Sequence, residues 1–282
     1  MQLTIHDMKT TKTGEVLVIY ILADLHLGAE DFDKELYRAV VKEIKANPMA
    51  RVILPGDITN ALRGSSRLRK VMAHADREDE LKEVDKNLKA GLDKNIIPLL
   101  KPIASKIVAA IDGDHYDFFS KFDKEYAGQT TTQYICDKLN IPYLAEREGG
   151  IRFRITYRKR KITFYDVHMR HGLGGGGTTI GGDINKLVKQ AFGQVGFHLH
   201  VGAHTHKKGI GEWMEEYPSN QFTKVLERKV FAMRCGSFLK NPEYARKAEY
   251  KKLSTGWGEV RVCIDYDDND NLKIGRVAAT IV

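Results

Sequence analysis

The chain has 282 residues and carries 45 Lys and Arg against 37 Asp and Glu, a formal charge of +8. Hydrophobic residues at 42% and charged residues at 29% are ordinary for a globular chain with a sizeable core and exclude a disordered one. No apolar run approaches the roughly 20 residues of a membrane span, and Cys136, Cys235 and Cys263, far apart and without a CxxC pair, exclude a disulfide framework or a thiolate zinc site.

The first clear element is Val16 to Ala23, VLVIYILA, a short β-rich apolar run that reads as a buried strand. Lys34 to Ala46 has helical spacing, with Leu36, Val40 and Ile44 on one face. Arg51 to Leu54 is a second strand, stopped by Pro55-Gly56. The charged stretch from about Arg67 to Leu92 reads as an exposed helix, and Lys106 to Ile111 as a third strand. Strand, helix, strand, helix, strand implies right-handed crossovers and a largely parallel first half.

The second half reads differently. Ile151 to Tyr157 and Lys161 to Val167 suggest a hairpin about Arg158-Lys159-Arg160, and Asp183 to Phe192 a helix. Strands are expected at Phe197 to Val201, Val230 to Met233, Gly258 to Ile264 and Ile274 to Ile281. Two sheets packed face to face, with helices outside, fit this order. Gly172 to Gly182 holds seven glycines directly after a strand end that carries histidines, which favours a site loop over a plain linker.

Polar residues at strand ends carry the chemistry, because ligands of open α/β sheets bind beyond the carboxyl ends of the strands. Asp24 and His26 are separated by one residue, so both can face one cation. Gly56-Asp57 places a carboxylate with two oxygens, enough to bridge two cations. Gly113-Asp114-His115 offers an oxygen ligand and a proton donor, with Asp112 leaving open which carboxylate faces inward. His171, beside the glycine loop, is preferred to His168. His204 and His206 repeat the alternate spacing, and His198 and His200 read as sheet-packing residues. Each group alone is matched by a bland alternative, a surface Asp or a Pro-Gly-Asp turn. All five at strand ends argue for one pocket.

The series D-x-H, G-D, G-N-H, H and G-H-x-H resembles the calcineurin-like metallophosphoesterases, and the likeness runs from about residue 16 to about residue 265. Gly172 to Lys186 and Gly236 to Lys240 look like bacterial and phage-encoded members. The resemblance implies one domain over residues 1–282, built as an α/β, four-layer α-β-β-α sandwich with two mixed sheets face to face and a metal site at strand ends. It implies a first divalent cation on Asp24, His26 and His206, a second on Asp114, His171 and His204, Asp57 bridging them, and His115 as the catalytic histidine. Manganese is the foremost cation, with iron, zinc, nickel or magnesium as alternatives. The implied reaction is hydrolysis of a phosphomonoester or phosphodiester by a hydroxide that the two metals activate.

Three positions depart from the pattern. Asp114 replaces an asparagine, which should hold the cation more tightly and make it a weaker Lewis acid. Tyr116 stands where an acid usually orients the histidine, with Asp117 as a substitute, and Ala203 replaces a glycine. Rival readings are a nuclease, favoured by the basic charge, a cation-binding scaffold, and a mononuclear hydrolase on Asp24, His26, Asp57 and His206. A phosphate ester is the expected partner and nucleic acid a further one, with no membrane. The opening MQLTIHDMKT lacks the apolar stretch of a secretory signal, so a cytoplasmic address is expected.

Overall fold

The run VLVIYI has no polar residue to turn towards water, so the strand it forms must be covered on both faces. In the computed structural model this strand, β2 (Val16–Ile21), has Leu17, Ile19 and Ile21 in one core and Val18 and Tyr20 in another. The structure describes all residues except 11–13, 61–77, 146, 158–160, 173–179, 219–222, 241–253 and 267–271. Residues 173–179 of the glycine segment, the first part of the long charged helix and the hairpin turn at 158–160 lie outside the described residues, while residues 180–182 of the glycine segment are helical.

β2 lies in a six-stranded sheet with β3 (Ala50–Leu54), β4 (Ile107–Ile111) and β5 (Tyr143–Ala145) parallel on one side. On its other side β11 (Gly258–Tyr266) and β12 (Leu272–Ile281) run antiparallel in turn. The parallel first half is therefore as expected. The second sheet has the order β1 (Gln2–Thr10), β6 (Glu148–Tyr157), β7 (Lys161–Arg170), β8 (Leu199–Gly202), β10 (Val225–Cys235) and β9 (Lys208–Pro218). β1 and β6 pair in parallel, β6 and β7 form the antiparallel hairpin, and β7, β8 and β10 are parallel neighbours.

The sheets face each other across a core in which Ile19, Ile53 and Ile111 of one meet Phe153, Val167 and Leu199 of the other. Alternation along β6 puts Ile151, Phe153 and Ile155 inward and leaves Arg152 and Arg154 on the outer face.

On the far side of the first sheet lie α1 (Lys34–Ala46), α2 (Glu78–Gly91), the short α3 (Ile97–Leu100) and α4 (Thr131–Leu139). Tyr37, Val40 and Ile44 of α1 are buried, while the expected Leu36 is half-buried at the rim of that core. Asp33 caps α1 by accepting from the Leu36 N–H, and Thr130 with Gln133 forms a capping box on α4. α5 (Ile180–Ala191) covers β8, β9 and β10 on the outer side of the second sheet. The result is the expected four-layer α-β-β-α order.

Five of these elements were not expected from the sequence: β1, β5, α3, α4 and β9. β9, KGIGEWMEEYP, alternates half-buried with exposed residues and carries two glycines and three glutamates, so no apolar run marks it. Cys136 and Cys235 are buried, Cys263 is half-buried, and all three cysteines are free. Among the described residues no helix is long and apolar enough to cross a membrane.

Candidate metal centre

The carboxyl ends of β2, β3, β4, β7 and β8 open onto one place. Backbone bonds tie them together there: the His26 N–H donates to the Asp57 carbonyl at 2.9 Å and the Ala203 N–H to the Arg170 carbonyl at 3.2 Å. Among the described residues six non-glycine residues have positive φ. Five of them are Asp24, His26, Asp57, His204 and His206, and the sixth, Asn140, ends α4. L-residues avoid this region at a cost of order 1–3 kcal/mol each, and such strain persists where the surroundings impose it. Its concentration here aims five polar side chains at one point.

Asp57 sits at the middle. Its Oδ1 accepts the N–H groups of Asp114 at 2.6 Å and His115 at 2.8 Å, which leaves Oδ2 for other contacts. Oδ2 lies 3.3 Å from His171 Nε2 and 3.8 Å from His26 Nε2. Two glycines make this packing feasible. A Cβ on Gly113 would collide with the Asp57 carboxylate, and one on Gly56, whose φ is +100°, with His171 Nδ1.

Two sets of ligand atoms each fall within 4.8 Å: Asp24, His26, Asp57 and His206, and then Asp57, His171 and His204. Asp57 belongs to both. His26 and His206 approach Nε2 to Nε2 at 3.3 Å, and Asp114 Oδ2 lies 3.0 Å from His204 Nδ1 and 3.8 Å from His171 Nε2. His171 Nδ1 faces the Pro55 carbonyl at 3.1 Å, so in the neutral ring the proton is on Nδ1 and Nε2 presents a lone pair. That buried Nε2 has no hydrogen-bond partner among the described residues, and the carboxylate it faces can only accept. A cation fits between the neutral imidazole and the carboxylate, in place of the ring's second proton.

Burial pushes Asp24 up to about 7, with Asp57 adding to the rise and His171 opposing it. Burial also opposes charge on Asp57, yet His171, His26 and His115 hold it well below the usual carboxylate range. His171 is buried too, but Asp57 and Asp24 outweigh the burial and raise it to about 9, so without a cation Nε2 holds a proton facing Asp57, and a bound cation would take that proton's place. Burial lowers His26 to about 4 and His206 to about 3, which keeps both imidazoles neutral and available as ligands.

The structure separates the alternatives left by the sequence. Asp112 accepts from Thr130 Oγ1 at 3.0 Å and Tyr143 Oη at 2.7 Å, so Asp114 is the carboxylate that faces the centre. His168 lies on the outer face of the second sheet, bonded to Glu148 at 2.9 Å and near His200 at 3.2 Å, whereas His171 is fully buried in the centre. His115 stands edge-on to His26, with ring centroids 4.8 Å apart. No carboxylate among the described residues hydrogen-bonds its ring: Tyr116 packs on Phe118, and the Asp117 backbone is tied to Thr131. Ala203 is buried without disturbing its neighbours' bonds.

Three supports surround the ligands, and two of them, Arg147 and Arg234, had no sequence signal. Arg147 donates through Nη2 to Asp114 Oδ1, and its carbonyl accepts the His171 N–H at 2.9 Å. Arg234, almost fully buried, holds the 203–206 turn by donating to the Ala203 carbonyl at 2.7 Å and Thr205 Oγ1 at 3.2 Å. The Phe238 N–H donates to the Asp24 carbonyl at 3.1 Å, so the segment from Gly236 to Lys240 braces the first ligand turn.

No family model matches the sequence, and no curated protein matches it. Among solved structures, Vps29 from Entamoeba histolytica complexed with zinc is similar over 94% of this chain and 98% of that one, at 11% identity and a TM-score of 0.38. Vps29 from Chaetomium thermophilum is similar over 94% and 97%, at 11% identity and a TM-score of 0.36. Likeness at this level carries no functional argument. The site's own geometry carries it.

Proposed function

We propose that this chain is a metal-dependent phosphoric ester hydrolase acting on phosphomonoesters or phosphodiesters. The observation that carries the reading is the position of Asp57, whose carboxylate is common to two clusters of ligand atoms, all from buried residues except the half-buried His204. In this reading one divalent cation is held by Asp24, His26, Asp57 and His206 and another by Asp57, Asp114, His171 and His204. Manganese is the first choice, with iron, zinc, nickel or magnesium as alternatives. When bound, such a pair supplies Lewis acidity towards phosphoryl oxygens and lowers the pKa of bound water.

The chain's residues do the rest. The N–H groups of Asp114 and His115 fix the Asp57 carboxylate, and the His204 N–H, 3.1 and 3.0 Å from the two Asp24 oxygens, fixes that carboxylate. Near-complete burial of Asp24, His26, Asp57 and His171 excludes water from their contacts and strengthens them. His115, less buried and beside His26, is the group placed to donate a proton to the leaving oxygen. Three carboxylates against two divalent cations leave one positive charge in surplus before Arg147 is counted, which favours an anionic ester. The bacterial and phage-type likeness rests on the residues of the sequence alone, and a cytoplasmic address fits three free cysteines.

The test is turnover of p-nitrophenyl phosphate and its bis ester with added manganese. The wild-type chain is expected to hydrolyse at least one of them and Asp57→Asn neither. That no carboxylate among the described residues hydrogen-bonds the His115 ring favours a second reading, a cation-binding scaffold. Two bound cations with no turnover of either ester or of a polynucleotide would support that reading and contradict ours.

A further inference from the structure

Asp114 brings one more negative charge than the amide that occupies its place in the D-x-H, G-D, G-N-H series, and a cation meets it. Arg147 Nη2 donates to Asp114 Oδ1. The other oxygen, Oδ2, turns the opposite way, towards His204 Nδ1 at 3.0 Å and His171 Nε2 at 3.8 Å. The two carboxylate oxygens are thus divided between a guanidinium and the second ligand cluster. The arginine is anchored to the same cluster through its backbone, since its carbonyl accepts the His171 N–H at 2.9 Å. Its Nη1 is buried with no hydrogen-bond partner among the described residues, so the guanidinium's other contacts do not pull it away from Asp114.

We propose that Arg147 is a positioning residue of the second cation site: with Asp114 it forms a carboxylate–guanidinium pair that offers one oxygen ligand and no net charge, as an amide would. The inference rests on the two-cation reading above. It revises the expectation that Asp114 alone would tighten the cation and weaken it as a Lewis acid. The physical reason is Coulombic: a unit charge a few ångströms from a divalent cation in a half-buried setting changes its binding measurably, and an opposite charge on the same carboxylate offsets that change.

A double-mutant cycle read by manganese titration calorimetry tests it, because charge compensation predicts opposite signs for the two single changes. Arg147→Met is expected to tighten the second cation about tenfold, by unmasking the carboxylate. Asp114→Asn, which leaves the guanidinium facing the cation, is expected to weaken it about tenfold or more. The double variant should return to within about threefold of wild type, and Arg147→Lys, which keeps the charge, should also stay within about threefold. Thermal unfolding without metal checks that each variant is folded, and Arg147→Gln serves the same comparison if the Met variant is not.

A purely structural arginine predicts that both single changes weaken binding and that the double variant is the weakest. That result, or an Arg147→Met affinity unchanged within about threefold, overturns the inference. Failure of the wild-type chain to bind a second cation would instead overturn the two-cation reading itself.

Discussion

Gly56 shows how tightly the centre depends on single atoms. Its φ of +100° and the closeness of His171 Nδ1 leave no room for a methyl group. Gly56→Ala is expected to cost about 1–3 kcal/mol in unfolding free energy and to weaken binding at the His171 side more than at the His26 side. Chemical denaturation and metal titration of the variant check this, and a variant as stable and as tightly binding as wild type would contradict it. His115→Gln should lower turnover about 10²- to 10⁴-fold while leaving cation stoichiometry unchanged, as expected of a proton donor that is not a ligand. At this scale much was legible in the sequence. Aspartates and histidines after apolar runs announce themselves, and alternation within D-x-H and H-x-H is readable without coordinates. Arg147 and Arg234 were not legible, because a lone arginine beside an unremarkable strand carries no local mark and gains its role only from a partner far along the chain.

Elements place these residues, and β7 and β8 show how one strand pair serves two faces. Their ends deliver His171 and His204 to the centre, while His168 and His200 sit on the outer face. Burial lowers His200 to about 3, helped by His168 and Arg228. Burial also lowers His198 to about 4, with Asp166 opposing and Arg228 assisting. Both are therefore neutral in the folded chain where the unfolded chain takes up protons. Stability is present in full above the unfolded value of about 6.5 and is lost as pH falls towards the folded values of about 3 and 4. Each histidine contributes at most about 1.4 kcal/mol per pH unit within that window. Urea unfolding between pH 7 and 4.5 should show the decline, and His200→Gln should flatten it; an equal slope in wild type and variant would contradict the assignment. Long apolar strands such as β2 and β4 were legible because both faces are buried. β1 and β9, at the edges of their sheet, were not, since an edge strand needs no apolar run.

At the scale of the whole molecule, the sandwich core fixes the distance between the ligand-bearing edges of the two sheets. Phe153, fully buried between them, is expected to cost about 3–5 kcal/mol when replaced by alanine, against about 0.5 kcal/mol or less for Leu3→Ala, which is 69% exposed on β1. Denaturant midpoints separate the two; equal effects would mean that the intersheet core is not the main support. The two-sheet architecture could be anticipated from the change in pattern near residue 150, from strand–helix alternation to a run of strands. The strand order could not, because β1, at the start of the chain, joins the second sheet beside β6 near its middle, a pairing no local signal encodes.

The most direct test of the account is cation stoichiometry by calorimetry and elemental analysis on the wild-type chain and on Asp57→Asn. If one carboxylate joins two ligand clusters, the wild type binds two manganese ions per chain and the variant no more than one tightly. A wild-type chain that binds one or none, or a variant that binds two as tightly as wild type, would contradict the claim that Asp57 is the shared ligand of a two-cation centre.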